Sequence, residues 1–217
     1  MLILASGSPR RAKILRDLGV EFEVVKSDAE EVAYPSDPER TVLENALAKG
    51  AYVQPSTFNL QPSAILSADT IVWFDNKIYG KPKDLEEAKE FLRTLSGKTH
   101  VVFTGVALRD GSRREGTADN FEGARREGTA DNFEGACREG TADNFEGART
   151  AVVKSEVKFR ELSEAMIDEY VARVRPTDRA GAYDIDESGD LIVESYSGSY
   201  ENIMGLPIEP LRDWGIA

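Results

Sequence analysis

"LILASGSPRRAKIL", residues 2–15, sets a short apolar run directly against Ser-Gly-Ser-Pro-Arg-Arg and then resumes apolar residues at helical spacing. The apolar run reads as a strand. Ser8 can cap the following helix and Pro9 can take its first position, with Ile14, Leu15 and Leu18 on one face and Gly19 as terminator. The first N–H groups of such a helix have no intrahelical partners. Together with Ser6, Gly7, Ser8, Arg10 and Arg11 they make a concave, donor-rich end suited to phosphate. Gly7 lets backbone approach a ligand closely, and arginine forks match phosphate oxygens in paired hydrogen bonds. The same residues also fit a capped surface helix with solvated arginines, and this stretch alone leaves both readings open.

Outward from it, strands and helices alternate. Phe22 to Val25 reads as a second strand, and Asp37-Pro38 starts a helix through Val42, Ala46 and Lys49. Ala64 to Ala68 reads as a short buried strand ending at Asp69. Asp84 with Glu87 forms a capping box ahead of Ala88, Phe91, Leu92 and Leu95, and Gly97 closes that helix. Ser163 opens a further helix carrying Met166, Ile167, Tyr170, Val171 and Val174. The expected fold class is α/β, a mixed sheet with flanking helices, a central cleft and an extended hairpin insertion.

That insertion is unusual in composition. REGTADNFEGA occurs at 114–124, 126–136 and 138–148, separated by Arg125 and Cys137. The period is twelve residues. Each unit offers one phenylalanine amid charged and small residues, too little to build a shared core. VVFTGVALRDG before the array and TAVVKSEVKF after it are strand-like, which places residues 114–149 at the tip of a hairpin within a single domain spanning 1–217. The array holds five basic and nine acidic residues, a net −4 of the total −12. An expanded, peripheral array is the favoured reading, and an acidic docking arm is the functional alternative.

Composition narrows the function classes. With 217 residues and 41% hydrophobic content the chain can bury one good core or two small lobes sharing a cleft. A net charge of −12 and a pI near 4.7 argue against a nucleic-acid or anionic-membrane binder. No apolar run approaches the roughly 18 residues of a membrane span, and the N-terminal residues lack the order of a signal peptide, so a cytoplasmic location is expected. Cys137 is the one cysteine and His100 the one histidine. No structural-zinc cluster is possible from them, so any metal must be held by oxygens.

LASGSPRR, SADTIV, YGKPKD, LSGKTH followed by FTGVAL, RAGAYDI and NIMGLP occur in the order and approximate spacing of the Maf family, and the chain resembles that family over nearly its whole length except the repeats. The resemblance implies a nucleoside triphosphate pyrophosphatase with the Maf/inosine-triphosphatase-like fold. Asp69 matches the family's catalytic carboxylate, the proton acceptor from water. Lys49 and Lys81 match lysines that neutralise triphosphate charge, and Glu31, beside Glu30, aligns with an acidic residue near the metal. Asp69 and Glu31 would then hold a divalent cation, magnesium or manganese, with Ser6, Ser8, Arg10, Arg11, Lys49, Thr70, Lys81 and Asp186 around the substrate. The expected partners are the nucleotide and, as a homodimer, a second copy of the chain.

Base preference follows from the same resemblance. Arg10 before Arg11, and Thr70 beside Asp69, match the dTTP/UTP branch, whereas the 7-methyl-GTP branch has tryptophan before its paired arginines. Asp186 departs from the glutamine of the pyrimidine branch. An ionised carboxylate only accepts hydrogen bonds, which would suit guanine's adjacent donors better. The expectation is a dTTP/UTP pyrophosphatase with selectivity broadened by Asp186. The alternatives are a 7-methyl-GTP or broad-range enzyme, or a non-catalytic nucleotide-binding regulator. Asp186 could also point away, since Glu187, Ser188, Gly189 and Asp190 read as a turn.

Overall fold

The computed structural model describes residues 1–53, 63–110, 143–145 and 147–217. The first two copies of the repeat, and most of the third, lie outside them.

The chain forms β1 (Leu2–Leu4), α1 (Pro9–Asp17), β2 (Phe22–Val24), α2 (Pro38–Tyr52), β3 (Ala64–Phe74), β4 (Lys77–Tyr79), α3 (Leu85–Leu95), β5 (Thr99–Asp110), β6 (Asp143–Phe145), β7 (Ala148–Phe159), α4 (Glu164–Arg173), α5 (Gly189–Ile192), β8 (Val193–Ser197), α6 (Tyr200–Met204) and α7 (Glu209–Asp213). Among the described residues eight strands make one mixed sheet in the order β2-β1-β3-β5-β7-β6, with β4 beside β3 and β8 beside β7. β1 runs parallel to β2 and β3, and every other pairing is antiparallel. The caps follow the sequence reading: Ser8, Asp37, Asp84 and Ser163 each accept a first-turn N–H with the side chain.

β3, β5 and β7 carry 11 or 12 residues each, long enough to run from one core into another. Leu66 and Ala68 of β3, with Val106 and Leu108 of β5, pack in a cluster with Ile14, Leu15, Leu211 and Trp214. Further along the same strands, Val72 and Val102 belong to a second cluster with Leu92, Leu95, Phe159, Ile167 and Tyr170. Asp69, Thr70 and Thr104 fall between the two. Polar residues are therefore concentrated where the sheet passes from one apolar mass to the next.

The strand predicted to end at Asp69 instead continues to Phe74. Thr70-Ile-Val-Trp-Phe is β-branched and aromatic, and its pairing with β5 runs unbroken from Ala64↔Asp110 to Trp73↔Val101. Asp69 is thus an interior strand residue directly opposite Gly105. A Cβ at Gly105 would stand 2.4 Å from the Val42 carbonyl oxygen, so only glycine lets α2 lie this close to the sheet. Ser67 Oγ donates to the Ala46 carbonyl at 2.6 Å and adds a second tie between β3 and α2.

The predicted hairpin flanks are β5 and β7, paired from Thr99↔Lys158 to Arg109↔Ala148. The end of the third repeat copy belongs to the sheet: Asp143–Phe145 pairs with Ala148–Thr150 across a turn where Gly147 has φ 82°.

Candidate functional site

A cleft of about 660 Å³ opens where the two clusters meet. One wall is the loop from Ala5 into α1, another is the 26–33 segment with α2, and the floor is the middle of β3. Gly80, Lys81, Thr177, Asp178, Tyr183 and Asp184 complete it. Arg10, Arg11, Lys26, Lys49 and Lys81 line it against Glu31, Asp69, Asp178 and Asp184. Five cations facing four carboxylates make this a locally basic hollow in a chain of net charge −12.

Asp69 is buried on the floor, 5% exposed. Its carboxylate meets two residues one helical turn apart on α2. Lys49 Nζ lies 2.5 Å from Oδ1, and Asn45 Nδ2 donates to Oδ2 at 3.0 Å. Lys49 Nζ also lies 2.8 Å from Glu31 Oε1, so one ammonium joins the two carboxylates. Lys49 is largely enclosed while Glu31 is half exposed. Thr70 faces the other side of the strand. Its Oγ1 accepts from Arg11 Nη2 at 3.0 Å and sits 3.0 Å from Thr104 Oγ1.

Arg11 is held on three sides. Nε donates to the Gly205 carbonyl at 2.7 Å, Nη1 to Ser6 Oγ at 3.1 Å and Nη2 to Thr70. Burial pushes its guanidinium pKa down, opposed by Asp69, then lowered further by Arg10 and raised by Glu31. Three of its five N–H groups are engaged by these contacts. Gly205, in NIMGLP, has φ 105° and lies against this group: a Cβ there would stand 3.2 Å from Thr70 Oγ1. Ser6 Oγ also accepts the Ser8 N–H at 3.2 Å, and Ser8 caps α1 by accepting from Arg11 N. The helix end therefore opens onto the cleft with its side chains already fixed. Lys81 lines the cleft and is exposed.

Of the predicted site residues, Ser6, Ser8, Arg10, Arg11, Glu31, Lys49, Asp69, Thr70 and Lys81 all line this one cleft. Asp186 does not. Its carboxylate lies 3.7 Å from Lys13 Nζ on the outer side of α1 and accepts from the Tyr200 hydroxyl at 3.2 Å. Burial, helped by Asp186, pushes that phenol up to about 12. Asp184, two residues earlier, takes the place in the wall. Its Oδ1 accepts the N–H groups of Asp186 and Glu187, while Oδ2 accepts from Arg10 Nη1 at 3.2 Å and ion-pairs with Arg179 Nη1 at 2.8 Å. This Asx turn rotates Asp186 outward. Behind the wall, Tyr170 hydrogen-bonds both backbone groups of Asp184, and the Tyr183 hydroxyl meets His100 Nε2 at 2.9 Å.

Sequence reasoning missed Asn45, Asp184 and Arg179. Asn45 had a readable signal: a polar residue on the same helical stripe as Val42, Ala46 and Lys49. Asp184 had none, because the choice between it and Asp186 depends on how the turn folds.

The mixed sheet, the helix end and the buried carboxylate beside a lysine define an α/β protein with a locally basic cleft. The family model described as Maf-like protein matches residues 1–214, and the chain belongs to the Maf family. It is 41% identical over 211 residues to the dTTP/UTP pyrophosphatase of Bacillus cytotoxicus, covering 96% of this chain and 91% of that one. Against the dTTP/UTP pyrophosphatase of Thermotoga maritima it is 36% identical over 207 residues, 95% of this chain and 84% of the other. A Bacillus cereus protein of the same name is 39% identical over 212 residues, 97% and 91% of the two chains. Among the described residues no helix is long and apolar enough to cross a membrane.

Proposed function

We propose that the chain is a nucleoside triphosphate pyrophosphatase that hydrolyses dTTP or UTP to the monophosphate and pyrophosphate. The observation that carries this reading is Asp69, buried at the floor of a basic cleft and oriented by Lys49 and Asn45. The names of the relatives favour the pyrimidine substrate.

In this reading, water attacks the α-phosphorus, and the bond from that phosphorus to the oxygen bridging it to the β-phosphate breaks. Asp69 takes the proton from water. Its two oxygens are each tied from one direction by α2, so the remaining lone pairs have a defined aim. The α1 end with Ser6, Ser8, Arg10 and Arg11 receives phosphate oxygens, and Lys81 balances charge gathering on departing pyrophosphate. Lys49 keeps Asp69 and Glu31 converged by lying between them.

Magnesium or manganese fits the donor set in one manner. Asp69 and Glu31 both contact the Lys49 ammonium, so an ion held by the two carboxylates would take the place of Nζ between them, and among the described residues no cluster of three or more acidic, histidine or cysteine side chains stands ready to hold a metal. Two carboxylates plus substrate phosphates and water are a magnesium-type set. Asp69 and Glu31 would hold the ion, which when bound neutralises phosphate charge.

The test is pyrophosphate release from UTP, dTTP, CTP, GTP and 7-methyl-GTP, with and without magnesium. UTP and dTTP should give the highest kcat/KM. No release from any nucleotide would overturn the catalytic reading, and a guanine nucleotide in first place would overturn the pyrimidine assignment.

A further inference from the structure

We infer that Asn45 is a positioning residue of this site, fixing the Asp69 carboxylate and the backbone beside Glu31 in one relative geometry. The inference rests on the proposed reaction only for its kinetic arm.

Asn45 is 3% exposed, and its amide makes three hydrogen bonds. Oδ1 accepts the Val32 N–H at 2.8 Å, Nδ2 donates to the Val32 carbonyl at 3.0 Å, and Nδ2 donates to Asp69 Oδ2 at 3.0 Å. Both amide hydrogens are thus engaged. The orientation is dictated by chemistry: a backbone N–H only donates, so Oδ1 must face it. Flipping the amide would set a donor against a donor and an oxygen against two acceptors. The side chain has one usable orientation, and Asp69 inherits it.

Val32 follows Glu31 directly, so the pair of bonds to its main chain anchors the segment that carries the second acidic residue. Lys49, one turn further along α2, completes the frame through the side chains of Glu31 and Asp69. One helix face therefore grips both carboxylate-bearing segments, one through backbone and one through side chain. Asn45 itself is within reach of the cleft but has both N–H groups occupied, so it acts on chemistry through Asp69.

The substitution Asn45→Asp keeps the shape and the Val32 N–H bond, and turns the other two contacts into oxygen against oxygen. With UTP it should lower kcat at least about 30-fold, and Asn45→Ala about 10-fold, while the Kd of a UTP analogue with a non-hydrolysable α,β-linkage stays within threefold. A stability readout needs no substrate. Asn45→Asp should lower Tm, and adding Asp69→Asn to it should restore part of the loss, because the reversed pair can again share a hydrogen bond while the contact with the Val32 carbonyl stays broken, yet turnover should not return. Three results would each overturn the inference: kcat within threefold of wild type in Asn45→Asp, kcat and analogue affinity falling together, or a double variant no more stable than Asn45→Asp. If Asn45→Asp does not fold, Asn45→Ala carries the kinetic comparison, and the double variant must still fold. A wild type that hydrolyses no nucleotide would refute the proposed reaction and leave the stability cycle to decide on Asn45.

Discussion

Lys49 of α2 and Asp69 of β3 form an ion pair with Nζ 2.5 Å from Oδ1, and the same ammonium holds Glu31 at 2.8 Å. A single cation thus joins a helix, a strand and a loop at the floor of the cleft. Replacing Asp69 by asparagine keeps the shape and removes the proton acceptor.

Asp69→Asn should reduce kcat for UTP and dTTP by about 100-fold or more, the usual cost of losing a general base. Its affinity for a non-hydrolysable nucleotide should stay close to wild type, while its Tm should fall, because asparagine offers one oxygen to the two donors Lys49 and Asn45. Turnover within a few-fold of wild type would remove Asp69 from the proton-accepting role.

Asp186→Gln should leave the ratio of kcat/KM for UTP and GTP within threefold of wild type. The carboxylate faces Lys13 and Tyr200, away from the cleft. A tenfold shift toward UTP would mean that the 184–187 turn re-forms around bound nucleotide and brings Asp186 to the base.

Asp184→Ala should lower the unfolding free energy by about 2 kcal/mol, because it leaves two turn N–H groups without an acceptor and Arg10 without its carboxylate, while Arg179 keeps Glu187 and Asp178. Urea denaturation reads this directly. A loss below about 1 kcal/mol would show that solvent replaces the carboxylate at little cost.

His100 gives the protein an acid-sensitive element. It is 1% exposed, its Nδ1 has no hydrogen-bond partner among the described residues, and burial pushes its pKa from 6.5 down to about 3. Between those values the unfolded chain binds a proton that the folded chain refuses, so stability falls as pH drops through this window. From pH 7 to pH 5 the loss attributable to His100 is about 2 kcal/mol. His100→Gln should lose less stability over that interval by a comparable amount, measured by urea denaturation at both pH values. Parallel losses in the two proteins would show that His100 is not the responsible group.

The repeat array is proposed to be peripheral. Residues 114–125 and 138–149 are the same twelve-residue sequence, so deleting 126–149 still places Asp-Asn-Phe-Glu-Gly-Ala-Arg ahead of Thr150, where β6 and the start of β7 require it. The shortened chain should keep wild-type kcat/KM and Tm, since each doubling of loop length costs only about 0.6 kcal/mol. A clear drop in either would assign the array a place in the domain or the site.

What could be read from the sequence was local or carried by a motif. Ser8 with Pro9 and Asp84 with Glu87 announce their helices through side-chain chemistry within a few residues. The residues gathered in the cleft were legible as a set because the resemblance named them together. What escaped depends on distant backbone. The Arg11 guanidinium is held by a carbonyl 194 residues away, and β3 runs past Asp69 because of its register with β5. The outward turn of Asp186 is decided by two N–H groups that reach Asp184 first.

Gly105 is not among the residues that line the cleft, yet the clearance it leaves is what brings Asn45 and Lys49 down to Asp69. Alanine there would wedge α2 away from the sheet, and the two side chains that aim the carboxylate would be lifted together. Catalytic failure would then arise from one methyl group on the strand beside Asp69, with every residue of the cleft still present. A survey of inactive variants that looked only at charged positions would pass over it. In this fold, the thickness of one backbone contact acts as a tolerance on the chemistry.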